Sequence, residues 1–200
     1  MPYLHSKYEV PGDDSQHEVL PNLLGITSIK AIHKVEFEGF LKAQYLLIDE
    51  LTTHTVFNFE YIKHIHQLSL LKVYDFAGQF RTVNMTKGGF LFPTAKFLPT
   101  ICHDFDEQIL QKLPNHYDNK EKLIADIAKV HAELLFIHPF REANGRVARV
   151  LANMMAIKQG YDFLDFYKIT QRQFEEYIMA VQSAADQNYQ PMTKIISAIF

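Results

Sequence analysis

One cysteine, Cys102, stands among 200 residues, so an internal disulfide is excluded. A chain of this length can bury a real core without one. A reducing, cytoplasmic setting is therefore expected. No apolar run approaches the roughly 18 residues that a membrane-spanning helix requires, and Met1 to Pro11 carries Lys7 and Glu9 but no apolar stretch of the kind an export signal uses. Excess charge is also missing. A net charge of −3, with 22% charged and 48% hydrophobic residues, removes the grounds for disorder and for a polyanion partner, nucleic acid included. Repeats, linkers and low-complexity tracts are lacking too. A loop over residues 1–20 followed by one domain over 21–200 is the expected organisation. Ten histidines are present, but a metal centre does not follow from them. His64 and His66, with His54 nearby, are two apart on an expected helix and point in different directions, and Cys102-His103 is no metal site by itself. His66 is read as structural.

What is present is mostly helical pattern. Pro11 to Pro21 is rich in Gly, Asp, Ser and Pro and reads as a loop. A first helix is expected from about Thr27 to Glu50, with Ile29, Ile32, Val35, Phe40 and Tyr45 on one packed face. A second runs from about Asn58 to Val73, with Phe59, Ile62, Ile65, Leu68 and Leu71 inward. Arg81 to Phe92 alternates around Gly88-Gly89, a good two-residue turn, and is the one clear β-hairpin. Further helices are expected at about Leu98 to Lys112, Asn119 to Ile137, Gly145 to Gln159, Gln171 to Ala185 and Pro191 to Phe200. Gly160 suits a helix stop, Thr170 with Gln173 a capping box, and Pro191 a first helical position. The fold class is all-α with one hairpin.

Between the fourth and fifth helices lies His138-Pro139-Phe140-Arg141-Glu142-Ala143-Asn144-Gly145-Arg146-Val147-Ala148-Arg149. Pro139 disfavours helical geometry at His138, which therefore sits where a buried helix ends. Asn144 and Gly145 fall at the start of the next helix, where the first N–H groups lack internal partners and the dipole welcomes an anion. Asn and Gly tolerate a turned backbone, and Arg146 and Arg149, three apart, reach over the same helix end. A diphosphate or triphosphate fits. Glu142 beside phosphate makes sense where a divalent cation such as Mg²⁺ bridges the two. His138 is then the natural proton acceptor. Taken singly, each residue also has an ordinary structural reading as a cap, a turn or a solvated surface group.

The stretch resembles the signature of the Fic family, His-x-Phe-x-(Asp/Glu)-(Gly/Ala)-Asn-(Gly/Lys)-Arg-x-x-Arg, with every specified position filled. Upstream, Ile65-His66-Gln67, Val73-Tyr74-Asp75-Phe76-Ala77-Gly78-Gln79-Phe80-Arg81 and Thr86-Lys87-Gly88-Gly89-Phe90 resemble the family's segment before its active-site hairpin and the hairpin tip. The likeness spans about Pro21 to Phe200. It implies a Fic fold, with the hairpin as a flap beside the active-site loop. It also implies a protein adenylyltransferase, moving AMP from ATP to a hydroxyl of a target protein and releasing pyrophosphate. On this resemblance His138 is the base and Glu142 the Mg²⁺ ligand. Asn144, Gly145 and Arg146 cradle the phosphates together with the nest at Ala143, and Arg149 orients the γ-phosphate. Phe140 is a buried wedge, and Lys87 and Tyr177 belong to the nucleotide pocket. The flap, Thr86 to Phe92, is expected to dock the target through main-chain hydrogen bonds.

Gly145 stands where a phosphorylating variant of the family carries Lys, which argues for nucleotidyl transfer. A related phosphotransferase and a silent or restrained binding module remain the alternatives. Members are often inhibited by a Ser/Thr-x-x-x-Glu-(Gly/Asn) helix whose Glu pairs with the second arginine. Glu38-Gly39 has the right ending but Lys34 the wrong beginning, and Ser183 to Asn188 has Gln187 for Glu. Both read as ordinary helix residues, which leaves a separate antitoxin protein as the expected restraint.

Overall fold

Asn119 begins the helix around which the rest is built: its side chain accepts from the Lys122 N–H at 3.0 Å, and α4 (Lys120–Ile137) follows. Leu123, Ile124, Ile127, Ala128, Val130, Ala132, Leu134, Leu135 and Ile137 on α4 are all buried. Apolar on nearly every side, α4 needs helices on nearly every side. It packs against α5 (Asn144–Lys158), α7 (Gln190–Ile199), α6 (Gln171–Gln182) and α3 (Leu98–Gln108), while α1 (Ile29–Asp49) and α2 (Phe59–Leu70) pair with each other and lean on α5. This is a computed structural model, and it describes residues 19–87, 90–169 and 171–200, without the side chains of Gln171 and Arg172. Most of the expected loop from Pro11 to Pro21, the Gly88-Gly89 turn and Thr170 of the capping box lie outside the described residues. Among those described, no helix is long and apolar enough to cross a membrane.

Helix ends follow their local chemistry. Asn58 caps α2 by accepting from Tyr61 N at 2.8 Å, and Pro191 occupies the first turn of α7. Gly160, at φ +82, ends α5: its N–H donates to Ile157 O at 2.9 Å and that of Tyr161 to Ala156 O at 3.1 Å. That pair of bonds is the Schellman stop, which favours a residue free of a Cβ. The third expected helix is shorter than its pattern. Its α ladder ends at Ile109 (φ −124, ψ −60), and Leu110–Lys112 is a 3-10 turn, the tighter winding common at helix ends.

Two apolar faces need correction. On α1 the buried stripe is Ile32, Glu36, Phe40, Ala43 and Leu47, whereas Ile29 and Tyr45 are 45% and 64% exposed. On α2, Leu71 lies beyond the helix and is exposed, and His66, Ser69 and Leu70 are buried instead. The seam is set by how close the two helices come. A Cβ on Gly39 would stand 2.1 Å from Ser69 O, so the α1 and α2 backbones nearly touch there. Glu38 is an exposed partner of Lys34 at 4.0 Å, and Glu38-Gly39 belongs to this crossing.

The hairpin is also smaller than its alternation. Strands β1 (Thr86–Lys87) and β2 (Phe90–Leu91) pair antiparallel, Thr86 with Leu91 and Lys87 with Phe90. Below them the arms are tied mainly through side chains, Asn84 Oδ1 accepting from Ala95 N at 2.9 Å and Arg81 reaching both arms.

Candidate active site

α4 stops at His138, whose backbone is left-handed (φ 53, ψ 57) and whose N–H donates to Leu134 O at 3.0 Å. Pro139 forbids the next helical step, as its position in the sequence implies. The ring is buried and stacks on Phe92 of the hairpin at 4.0 Å. Its Nδ1 lies 3.0 Å from Leu135 O. A carbonyl only accepts, so Nδ1 carries the proton and the lone pair is on Nε2. Burial, helped by the nearby charges of Lys87 and Arg81, holds the ring's pKa down at about 3.

Phe140 is fully buried and stacks on His66 at 4.1 Å, a wedge as expected. His66 Nδ1 accepts from Gly78 N at 2.7 Å, and Nε2 donates to Glu142 O at 3.3 Å. Both ring nitrogens are thus spent on holding the loop, the structural role read for His66. Asn144 is spent likewise. Its Oδ1 accepts from Phe140 N at 2.9 Å and its Nδ2 donates to Phe140 O at 2.8 Å. Its side chain buckles the loop, and only its backbone N–H can serve a phosphate. The turned residue is also not one of the two that the sequence suggested. Ala143 is left-handed (φ 65, ψ 12), and α5 begins in ordinary helical geometry at Asn144. An alanine there carries strain of about 1 kcal/mol or more.

The N–H of Ala143 is taken by Glu142 Oε1 at 2.9 Å, whereas among the described residues those of Asn144 and Gly145 have no acceptor. These two unpaired N–H groups at a helix start, with Asn144 itself fully buried and Gly145 partly exposed, form an anion cup. A Cβ on Gly145 would meet only Arg149 Nη1, at 3.7 Å. The fold itself therefore does not demand glycine at this position. Arg146 Nη2 lies 2.9 Å from Glu36 Oε2 and 3.3 Å from Glu142 Oε1. Arg149 has no carboxylate within 4.0 Å among the described residues. Glu142 Oε2 accepts no hydrogen bond there either.

Lys87 reaches over the Phe174 ring at 5.9 Å, so the flap and α6 meet there. Tyr177, expected in the nucleotide pocket, is anchored through its hydroxyl. Its hydroxyl donates to His131 Nε2 at 2.6 Å while His131 Nδ1 donates to Ala148 O at 3.2 Å, which ties α6 to α4 and α5 behind Arg149. Burial pushes the Tyr177 phenol up, so it remains a donor. Glu36, Tyr74, Arg81 and His131 escaped the sequence reading as contributors to the site. The available signal was polar residues at otherwise apolar positions.

Burial lowers His66 to about 4, and His131 and His138 to about 3. Below the unfolded value of about 6.5, an unfolded chain binds protons on these rings that the folded chain refuses. Stability is therefore fully present above about pH 6.5 and falls toward pH 4, by up to about 1.4 kcal/mol per pH unit for each ring. Urea unfolding at pH 7.5 and 5.5 should show this loss; equal stability at both would contradict the buried neutral rings.

The fold and site together define a helical domain with a helix-start anion cup and a neutral imidazole on a buckled loop under a short flap. The chain belongs to the Fic/DOC family, whose model matches residues 56–156. Among curated relatives, protein adenylyltransferase VbhT of Bartonella schoenbuchensis is 25% identical over 178 residues, 86% of this chain and 37% of that protein. The probable protein adenylyltransferase y4lH of Sinorhizobium fredii is 29% identical over 118 residues, 58% of this chain and 61% of the relative. This chain thus spans less than two thirds of either. The N-terminal Fic domain of a Bartonella effector protein from Bartonella sp. AR 15-3 superposes with a TM-score of 0.74 at 23% identity, covering 100% of this chain and 93% of that one. BepC of Bartonella tribocorum, solved with bound AMPPNP, gives 0.68 at 20% identity, with 99% and 98% covered.

Proposed function

We propose that this protein transfers AMP from ATP to a hydroxyl side chain of a target protein and releases pyrophosphate. The observation that carries the reading is the pairing of a proton-accepting Nε2 on His138 with the open N–H groups of Asn144 and Gly145, across one buckled loop. The target oxygen attacks the α-phosphorus as the bond to the bridging oxygen of pyrophosphate breaks, and Nε2 of His138 takes the hydroxyl proton. The N–H groups of Asn144 and Gly145 and the guanidinium groups of Arg146 and Arg149 hold the phosphates, so catalysis is mostly positioning and charge stabilisation.

Mg²⁺ fits the donors present. Among the described residues no cluster of three or more His, Cys, Asp or Glu can hold a metal alone, and Glu142 offers one carboxylate with an uncommitted oxygen. This is the donor count suited to a cation that shares its shell with substrate phosphates and water. When bound, it would neutralise phosphate charge. The relatives named adenylyltransferases and the AMPPNP complex of BepC support a nucleotide substrate, and Gly145, in place of Lys, supports nucleotidyl over phosphoryl transfer.

The flap from Thr86 to Phe92 is the proposed docking edge for the target. With no carboxylate on Arg149 among the described residues, restraint by a separate antitoxin protein is favoured. A cytoplasmic setting is proposed on the lone Cys102. One observation favours the silent-module reading: His138 is only 5% exposed, under Phe92. ATP labelled at the α- or the γ-phosphate, incubated with the protein, Mg²⁺ and a cell extract, separates the readings. Label on protein from the α-position alone is expected. Label from the γ-position would mean phosphotransfer, and none from either a silent module.

A further inference from the structure

Glu36 lies on α1, far from the loop in sequence, and is 3% exposed. Both of its oxygens are engaged. Oε1 accepts from the Tyr74 hydroxyl at 2.6 Å, and Oε2 faces Arg146 Nη2 at 2.9 Å. Tyr74 is steadied by stacking on Phe76 at 4.6 Å. Phe40, one turn along the same face of α1, lies under the guanidinium at 4.9 Å. Helix α1 therefore grips Arg146 by one edge and one face.

The gripped nitrogen is shared. Nη2 also approaches Glu142 Oε1 at 3.3 Å, the longer of its two carboxylate contacts. Left to itself, a guanidinium closes on a carboxylate as a two-oxygen fork, and Arg146 stands four residues after Glu142, within easy reach on a helix start. Such a fork would occupy Oε2 of Glu142, the oxygen that a divalent cation needs. Burying the Glu36 charge is costly unless it is well paired, so its placement against Arg146 calls for a role.

We infer that Glu36 is a positioning residue: by holding Nη2 of Arg146 it keeps that arginine from closing on Glu142, leaving a Glu142 oxygen for the cation and the other edge of Arg146 for phosphate. The inference rests on the reading that Glu142 takes Mg²⁺.

Glu36→Gln keeps the shape and an acceptor for Tyr74 but removes the charge. Calorimetric titration of ADP over a series of Mg²⁺ concentrations reads the effect without turnover. The Mg²⁺ concentration giving half of the metal's enhancement should rise about tenfold, as for other residues that orient a metal ligand, while metal-free ADP affinity changes less. Glu36→Asp, which retains the charge, should return the requirement toward wild type. An unchanged Mg²⁺ requirement in a folded Glu36→Gln protein overturns the inference alone. So does an equal loss of ADP affinity with and without metal, the mark of a merely structural role. A wild type whose ADP binding ignores Mg²⁺ overturns the Glu142 reading and this one together. Should Glu36→Gln fail to fold, Tyr74→Phe frees the second oxygen of the same carboxylate to join the first on Arg146, and should leave the Mg²⁺ requirement at or below that of wild type; a raised requirement there is equally fatal.

Discussion

His138→Ala should lower AMP transfer by about 10²–10⁴-fold, the usual worth of a positioned general base, and leave ATP affinity close to wild type. In the proposed mechanism the imidazole acts on the proton of the attacking hydroxyl, whereas the phosphates are held by the N–H groups of Asn144 and Gly145 and by two arginines on α5. Alanine can keep the left-handed backbone at a strain like that of Ala143, so the loop should survive. Labelled transfer and nucleotide calorimetry on one preparation decide the matter. Transfer undiminished in the variant removes His138 from the role of base, and a parallel loss of ATP binding would make it a loop-holding residue instead.

Arg81→Met is expected to cost about 3–5 kcal/mol of stability, because it strips a buried charged donor from three carbonyl acceptors, that of His138 buried and those of Val83 and Pro93 partly so. Arg81 is 2% exposed. Its Nε donates to His138 O at 2.7 Å, Nη1 to Val83 O at 2.7 Å and Nη2 to Pro93 O at 2.5 Å, while its own N–H reaches Pro139 O at 2.9 Å. One side chain thus fastens both arms of the flap to the loop that follows α4. Burial draws its pKa down to about 10, which still leaves it charged at neutral pH. Against a typical total of about 5–15 kcal/mol, the variant should melt far earlier or lose its flap. Urea unfolding that places it within about 1 kcal/mol of wild type, inside the range of an ordinary surface change, would show the three bonds to be dispensable.

What was legible in the sequence was local. Asn119, Gly160, Pro139 and Pro191 act within a turn or two of themselves, so the helix ends they set could be read directly, and the signature placed His138, Glu142, Arg146 and Arg149 around one loop. What was not legible depends on residues distant in sequence. Glu36 interrupts an apolar stripe and makes sense only once α5 brings Arg146 against it. His131 reads as one more buried position until Tyr177 arrives from α6. Asn and Gly tolerate a turned backbone and so point to Asn144 and Gly145, yet the turn falls on Ala143, while Asn144 stands in helical geometry with its side chain bonded to Phe140. The hairpin's alternation overstates its ladder because the side chains of Arg81 and Asn84, more than strand pairing, close its base.

The near-contact of α1 and α2 bears on how variation at position 39 should be interpreted. With Ser69 O only 2.1 Å from where any β-carbon would stand, the obstacle is a carbonyl fixed in a helix backbone, which cannot swing aside as a flexible side chain would. Random replacement at this codon should therefore return glycine almost alone, whatever nucleotide or partner the protein meets. A Glu-Gly dipeptide surviving here across many variants would look like the remnant of an inhibitory helix, and its persistence would testify only to two main chains that cannot be moved apart.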